Sequence, residues 1–230
     1  MVFHIKKRGF FIVLEGVDGC GKTTLSKKMV EIINSPDVVY CSRKTIMKND
    51  PFIEEQMKKV ASLMWTHNSG VLDHFLPKHY YIHLQAAWYS LLTSFVIKPL
   101  LQQNKTIVVD GWIYKFMARL LEQDATNDYL NTIFSHIMEP DLVLLLDVDV
   151  ELIWNRKQDF KLYELGSHMG HEDPNKATFF DFQSRTWINL KDFCKNKSGF
   201  WKMVHLPTSD IWDNAELLLS HIQNVVPINK

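Results

Sequence analysis

The glycine-rich segment at residues 16–23, GVDGCGKT, sharply narrows the folds open to this chain. It matches the pattern G-x-x-x-x-G-K-[ST] in full, follows the apolar run of residues 10–14 and precedes a segment with helical character. Glycines at these positions let backbone N–H groups turn toward phosphate oxygens, and the N-terminus of the next helix adds partial positive charge. The segment therefore predicts a nucleoside triphosphate bound between a buried strand and a helix.

Two side chains of this segment carry specific chemistry. Lys22 places an ammonium on the outer phosphates, and the Thr23 hydroxyl is placed to ligate Mg²⁺. A guanine-specific switch is disfavoured because no Asn-Lys pair of the chain continues as N-K-x-D. We therefore predict a nucleoside triphosphate with Mg²⁺ as ligands and Lys22 as a catalytic residue. The residues predicted to bind the nucleotide are Gly16, Asp18, Gly19, Cys20, Gly21, Lys22, Thr23 and Thr24.

Short apolar runs alternate with longer helical segments along the rest of the chain. Their apolarity is continuous rather than alternating, which indicates strands buried on both faces, as in a parallel sheet. This order predicts a doubly wound α/β fold with ligands bound beyond the carboxyl ends of the strands. The predicted strands are residues 10–14, 37–41, 106–109, 142–146 and 202–206. The predicted helices are residues 22–34, 53–67, 79–103, 118–138, 151–160, 179–195 and 214–225.

Composition excludes several other classes of protein. The chain has 230 residues with 26 basic and 26 acidic side chains, whereas proteins that wrap nucleic acid usually show a basic excess. Its three cysteines are widely spaced and form no CxxC pair, which indicates a reducing compartment. No apolar stretch reaches the length of a membrane span. We expect one cytoplasmic domain over residues 1–230 with no membrane and no nucleic-acid partner.

Three segments resemble the thymidylate kinase family. Residues 12–24 resemble the opening of that family, residues 140–151 its fourth strand, and residues 179–190 the helix after its lid. The resemblance implies a three-layer P-loop nucleoside-monophosphate kinase fold, with a parallel five-stranded sheet between helices, often in homodimers. It also implies transfer of the ATP γ-phosphate to a nucleoside monophosphate in the presence of Mg²⁺.

The chain departs from the family where the acceptor phosphate would bind. The family usually has an arginine after the aspartate that ends its third strand, and this arginine grips the acceptor phosphate. Here the sequence reads Asp110-Gly111-Trp112. Asp110 remains, placed for a metal-bound water, and we predict it as a catalytic and metal-site residue. The missing arginine leaves Arg43, after the second strand, and Arg119 as candidate replacements.

Further acceptor contacts follow from the same resemblance. Glu15 and Asp18 face the acceptor, and the Asp18 carboxylate can accept a hydrogen bond from a sugar hydroxyl. The family reads its base with an aromatic residue and an arginine four positions later, and Gln85 and Tyr89 stand at those places. A glutamine amide can pair with a base edge, while packing in the core is the alternative for both residues. We place Trp112 in the same predicted site.

A polar segment at residues 157–178 without periodicity is predicted to be a mobile lid. Phosphoryl transfer needs positive charge around the transferred group, and a closing segment excludes water. The thymidylate kinase family carries an arginine either in the phosphate loop or in the lid. Because Gly19 leaves the loop here without one, the resemblance implies that a lid cation supplies this charge. Arg156, next to the lid, is the cation that we predict as catalytic here, beside Lys22 and Asp110. The further candidates are Lys157, Lys161 and Arg185.

Three functions stay open at this point. The first is an ATP-dependent phosphotransferase that resembles thymidylate kinase and acts on a nucleoside monophosphate or related nucleotide. The second is a deoxynucleoside kinase, which the missing arginine after Asp110 favours and the absence of a Glu-Arg-Ser pattern there disfavours. The third is a catalytically weak nucleotide-binding protein that signals to a partner.

Overall fold

The structure, a computed structural model, describes residues 8–65, 77–157, 159–169, 173–197 and 199–223. Its strands are β1 (Phe11–Glu15), β2 (Val38–Cys41), β3 (Thr106–Val109), β4 (Leu142–Asp147) and β5 (Trp201–His205). Its helices are α1 (Lys22–Ile33), α2 (Pro51–Trp65), α3 (Lys78–Leu92), α4 (Lys98–Gln102), α5 (Tyr114–Leu121), α6 (Asn127–Phe134), α7 (Val150–Arg156), α8 (Lys176–Asn196) and α9 (Ile211–Gln223). A π-helical turn, Thr93–Ile97, joins α3 to α4, and two 3₁₀ turns, Leu162–Leu165 and Ser167–Met169, precede α8.

The described strands form one parallel sheet in the order β2-β3-β1-β4-β5. Every residue of β1 is buried, since successive side chains enter two cores on opposite faces. Phe11 and Val13 belong to one core, whereas Ile12 and Leu14 belong to the other. The strand order changes direction at β1, so a crevice opens at the carboxyl ends of β1 and β3. The predicted parallel five-stranded α/β fold is confirmed.

The observed strands differ from the predicted ones by at most one residue at each end. The prediction of one helix over residues 118–138 is wrong, because α5 and α6 are separate helices. Asp124 adopts a left-handed φ of 62°, which an α-helix does not tolerate, and the side chain of Thr126 then caps the N-terminus of α6.

The helix predicted over residues 151–160 is shorter than expected, because α7 ends at Arg156. Beyond that end Phe160 lies parallel to the ring of Trp154, with ring centroids 4.6 Å apart. None of the helices in the described ranges is long and apolar enough to cross a membrane.

Candidate active site

The segment between β1 and α1 forms a loop of tight turns. Gly19 and Gly21 have φ angles of 76° and 101°, in the left-handed region that glycine adopts without strain. A Cβ on Gly19 would also lie 2.6 Å from Cγ2 of Ile153, so α7 can approach the loop only because glycine is there. A loop of this shape at a helix N-terminus is suited to binding phosphate.

A cavity of about 590 Å³ lies next to this loop, which is a volume typical of a small-molecule site. The loop contributes Gly19, Gly21, Thr23 and Thr24 to its wall. Basic side chains outnumber acidic ones in the lining, so the cavity favours an anionic ligand. The basic residues are Lys22, Lys27, Arg43, Lys44 and Lys115, and the acidic residues are Asp18, Asp110 and Glu164.

Lys22 is the first residue of α1, and its side chain turns back over the loop. Its Nζ donates hydrogen bonds to the carbonyl oxygens of Gly16 and Val17, at 2.8 and 2.6 Å. Cys20 is buried, and its Sγ lies 3.5 Å from Nζ of Lys22. The ammonium therefore stands at the loop, where phosphate groups would bind, and Cys20 packs beneath it.

Asp110, at the end of β3, faces the first turn of α1. Its Oδ2 accepts hydrogen bonds from the hydroxyls of Thr23 at 2.6 Å and Tyr40 at 2.8 Å. Its Oδ1 accepts a hydrogen bond from the backbone N–H of Arg43 at 3.0 Å. Mg²⁺ prefers such hard oxygens and binds few protein groups, because it keeps waters and substrate phosphates in its shell. The pair of Thr23 and Asp110 fits that ion, and the described residues hold no cluster of three or more metal ligands.

Asp18 is a buried residue of the loop, not a solvated one. Its carboxylate accepts a hydrogen bond from Nζ of Lys115 at 2.5 Å and forms an ion pair with Arg119. The side-chain amide of Gln183 also contacts it, with Nε2 3.3 Å from Oδ2. Burial disfavours the charged form, but Arg119, Lys115 and Lys22 hold the pKa of Asp18 well below its usual value. The oxygens of this carboxylate thus already bind side chains of the protein, and its contact with a sugar hydroxyl stays a prediction.

Lys115 is one of the site residues that sequence reasoning missed, and the cavity-lining Lys27, Tyr40 and Tyr163 are others. Lys115 lies on α5 one turn before Arg119, so both side chains reach Asp18 from the same helix face. Burial, together with the neighbouring cations Lys22, Arg119 and Arg43, lowers the pKa of Lys115 to about 7, although Asp18 opposes this shift. The sequence did contain a signal for Lys115. A lysine and an arginine stand four residues apart, shortly after the aspartate that follows β3.

Arg43 occupies the space that Gly111 leaves open. A Cβ on Gly111 would lie 3.7 Å from Cδ of Arg43, and Gly111 itself has a left-handed φ of 119°. The backbone carbonyl of Arg43 accepts a hydrogen bond from Nε1 of Trp88 at 2.9 Å, and its side chain interacts with Tyr89. The side chain of Arg43 therefore lies beside the position of the missing arginine, while Arg119 contacts Asp18, and the replacement of that arginine by either residue stays a prediction.

Glu15 ends β1 as a fully buried carboxylate. Its Oε1 accepts a hydrogen bond from the backbone N–H of Trp112 at 2.7 Å, and its Oε2 has no hydrogen-bond partner among the described residues. Burial raises the pKa of Glu15, against the attraction of Lys22 and Lys115. Glu15 thus holds the backbone after β3 beside the phosphate loop.

Two predicted acceptor contacts are core residues. The ring of Trp112 packs edge-on against Phe11 and Tyr89, with centroids 5.0 and 4.9 Å away. The Tyr89 hydroxyl donates a hydrogen bond to the Trp112 carbonyl at 3.1 Å, and burial raises the pKa of Tyr89 to about 12. Over the described part of the chain, the cavity lining includes neither of these rings, nor Glu15 or Gln85. The acceptor pocket predicted from Gln85, Tyr89 and Trp112 is therefore not assembled around this cavity.

Arg156 reaches the phosphate loop from the end of α7. Its guanidinium donates a hydrogen bond to the carbonyl oxygen of Gly19 at 2.6 Å. The predicted cation Arg185 instead pairs with Asp181 on the exposed side of α8. The structure thus brings Arg156 to the loop and leaves Arg185 away from it.

The described part of the predicted lid contains the turn Leu162–Leu165, which we call the lid turn. Its Glu164 is buried and pairs through both carboxylate oxygens with Nζ of Lys157, at 2.7 and 2.6 Å. The backbone N–H of Lys161 donates to the same carboxylate at 2.9 Å. Residues 158 and 170–172 lie outside the described residues. The lid turn closes one side of the cavity with Tyr163 and Glu164.

The parallel sheet, the phosphate loop after β1 and the acidic residue after β3 define a P-loop nucleotide-binding protein. The thymidylate kinase family model matches residues 14–168, more than half of the chain. The chain therefore belongs to the thymidylate kinase family and is a nucleoside-monophosphate kinase of that class. The predicted family and enzyme class are confirmed, and members of this family generally use ATP and Mg²⁺.

Similar proteins support this assignment. The probable thymidylate kinase of Pyrococcus abyssi is 30% identical over 146 residues, which cover 63% of this chain and 67% of that protein. The thymidylate kinase of Mycoplasmoides gallisepticum is 30% identical over 158 residues, 65% of this chain and 69% of that protein.

Solved structures agree on the fold. The thymidylate kinase of Ehrlichia chaffeensis superposes with a TM-score of 0.64 at 19% identity, over 94% of this chain and 99% of that one. The enzyme of Candida albicans gives a TM-score of 0.65 at 20% identity, over 94% and 92% of the two chains.

Proposed function

We propose that this kinase transfers the γ-phosphoryl group of ATP to the phosphate of a nucleoside monophosphate, with Mg²⁺ as the metal. The observation that carries the proposal is the pairing of one buried carboxylate, Asp18, with two cations, Lys115 and Arg119. Asp18 carries less charge than Lys115 and Arg119 together when both are protonated, and the cavity lining as a whole has five basic side chains against three acidic ones. A phosphorylated acceptor would balance this positive excess, whereas a neutral nucleoside would not.

The phosphate loop is the proposed site of the triphosphate. Its backbone N–H groups and the N-terminus of α1 would hold the phosphate oxygens, and Lys22 would add positive charge. Thr23 and Asp110 would hold Mg²⁺, which when bound neutralises phosphate charge and orients the β- and γ-phosphates. Together these residues would fix the γ-phosphorus toward the acceptor side of the cavity.

The chemical step itself needs little from the protein. An oxygen of the acceptor phosphate forms a bond to the γ-phosphorus, the bond to the bridging oxygen of ADP breaks, and ADP leaves with that electron pair. The acceptor phosphate is already ionised near neutral pH, so no side chain has to act as a base. We assign Arg156 to the transferring group, where it would stabilise the charge on its oxygens.

Thymidylate is the first acceptor to test, because the similar proteins above bear that enzyme's name. The experiment measures ADP release by the purified enzyme with Mg²⁺, ATP and a panel of nucleoside monophosphates, with thymidine as the unphosphorylated comparison. We expect acceptor-dependent ADP with at least one monophosphate and little with thymidine. Equal or greater activity with thymidine would favour a deoxynucleoside kinase. ATP binding without transfer to any acceptor would overturn the proposal and favour a signalling role.

Three broader predictions accompany this function. They are cytoplasmic localisation, a homodimer, and a single domain over residues 1–230 with a lid near residues 157–178. Analytical ultracentrifugation of the purified chain measures the oligomeric state, and a monomer at all accessible concentrations would contradict the homodimer.

A further inference from the structure

Gln183, on α8, is a fully buried side chain whose amide groups are all hydrogen-bonded. Its Oε1 accepts a hydrogen bond from the backbone N–H of Asp18 at 3.0 Å. Its Nε2 donates to the backbone carbonyl of Glu164 at 2.8 Å and contacts Oδ2 of Asp18 at 3.3 Å. One amide thus joins the phosphate loop to the lid turn without contact with solvent.

The connection continues from Glu164 back to the phosphate loop. The Glu164 carboxylate holds Nζ of Lys157 through two short contacts. Lys157 directly follows Arg156, whose guanidinium donates to the Gly19 carbonyl. Gly19 is the neighbour of Asp18 in the chain. These contacts form a closed ring, which we call the lid ring, with Gln183 as its buried link.

We propose that Gln183 is a positioning residue for phosphoryl transfer: through Glu164 and Lys157 it fixes where the Arg156 guanidinium stands at the phosphate loop. The proposal rests on the proposed function, because that function assigns Arg156 to the transferred group. Gln183 lines no part of the cavity among the described residues, so it acts through its neighbours.

The physical reason lies in the burial of the link. A buried N–H or carbonyl that loses its partner is strongly disfavoured, so the Asp18 N–H and the Glu164 carbonyl keep the amide of Gln183 between them. The position of the lid turn is therefore tied to the phosphate loop. A displacement of about 1 Å in a positioned group can reduce the rate about 10²-fold, which is the effect we expect when the link is removed.

The test is a double-mutant cycle on kcat with Gln183→Met and Arg156→Ala. Methionine keeps the approximate size of glutamine but removes its hydrogen bonds. We expect Gln183→Met to lower kcat by about 10²-fold with a much smaller change in the KM for ATP. In the Arg156→Ala background we expect Gln183→Met to change kcat by no more than about twofold. Independent, multiplicative losses would overturn the proposal, because Gln183 would then not act through Arg156.

Asn189 supplies the matched control on the same helix. Its Nδ2 donates to the backbone carbonyl of Ala118 at 2.9 Å, outside the lid ring. Asn189→Leu removes a side-chain hydrogen bond of α8 and should lower thermal stability while leaving kcat unchanged. An equal loss of kcat in Asn189→Leu would mean that any weakening of α8 suffices, and would overturn the specific role of Gln183.

A second readout does not depend on catalysis. Hydrogen–deuterium exchange of the Asp18 amide and of the lid turn should rise in Gln183→Met and not in Asn189→Leu. Unchanged exchange at both places would overturn the proposal even if the wild type phosphorylates no acceptor. If Gln183→Met does not fold, Glu164→Gln breaks the next link and should show the same dependence on Arg156. Wild-type activity, by contrast, tests the proposed function alone.

Discussion

Asp18 has a different role in the structure from the one that its sequence context suggests. In the sequence it is a polar residue of a glycine-rich loop, whereas in the structure it is buried between two cations of α5. Removing one partner of a buried ion pair leaves the other charge buried without compensation, which strongly destabilises the fold. Each of these side chains therefore depends on the others. The excess of positive charge is what the acceptor phosphate would neutralise.

Replacing Lys115 tests this excess directly. Lys115→Met should lower kcat/KM for a nucleoside monophosphate by roughly 10- to 100-fold, since a hydrogen bond to a charged group contributes about 1.5–3 kcal/mol. The KM for ATP should change little. Steady-state kinetics measures both, with Lys58→Met on the exposed face of α2 as the control. Unchanged acceptor kinetics would remove Lys115 from the acceptor site.

The low pKa of Asp18 predicts a specific loss of stability in acid. Its pKa in the folded protein lies well below the usual value of 3.8, so the unfolded chain binds the proton more readily. The stabilisation is therefore fully present above about pH 4 and is lost as the pH falls through the folded pKa. Urea unfolding between pH 6 and pH 2 measures the free energy of unfolding, which should fall more steeply with decreasing pH for wild type than for Asp18→Asn. The exposed Asp37→Asn is the control, and equal slopes for wild type and Asp18→Asn would contradict the prediction.

At the scale of elements, α5 and α8 both hold the phosphate loop at Asp18. The helix α5 carries Lys115 and Arg119, and α8 carries Gln183. Side chains of both helices thus contact Asp18 in the phosphate loop. The N-terminus of α8 is fixed by a capping box. Oδ1 of Asn175 accepts from the backbone N–H of Ala177, and the backbone N–H of Asn175 donates to Thr178 Oγ1, both at 2.9 Å.

Removal of this cap should weaken α8 measurably. Asn175→Ala should lower the free energy of unfolding by about 1 kcal/mol, because an N–H at the helix N-terminus loses its acceptor. Chemical denaturation measures the change. Asn175→Asp keeps an acceptor oxygen and should stay within a few tenths of a kcal/mol of wild type. A similar loss in both variants would show that the cap is not the cause.

At the scale of the whole molecule, the sheet gathers distant parts of the chain at one edge. The carboxyl ends of β1, β2 and β3 meet beside the N-terminus of α1, and the lid turn approaches from beyond β4. A ligand bound there contacts several elements at once. Its binding free energy is therefore added to the stability of the whole fold.

Nucleotide binding should consequently raise the melting temperature. At a ligand concentration 100-fold above Kd the stabilisation is about 2.7 kcal/mol. Lys22→Ala should abolish most of the shift produced by Mg²⁺ and ATP, because its ammonium stands in the phosphate loop. Thermal unfolding with and without nucleotide measures this, and the exposed Lys59→Ala should retain the full shift. A full shift in Lys22→Ala would contradict the assigned site.

The sequence was enough to predict the fold and the phosphate loop, because both depend on local patterns. Continuous apolar runs identified the strands to within one residue, and the loop motif identified Lys22, Thr23 and their neighbours. The same local patterns failed between α5 and α6, where the backbone at Asp124 turns left-handed and ends the helix. Propensity does not reveal such a turn.

The acceptor side depended on tertiary structure, because its parts come from separate elements. Trp112 and Tyr89 were predicted at the acceptor site from the sequence, yet both pack into the core, because large aromatic rings gain most from burial. Lys115 and Gln183 were not predicted, because only the packing of α5 and α8 brings them to Asp18. Phosphate binding is encoded in a contiguous backbone segment, whereas the charge balance at Asp18 arises from side chains 97 and 101 residues away in the sequence.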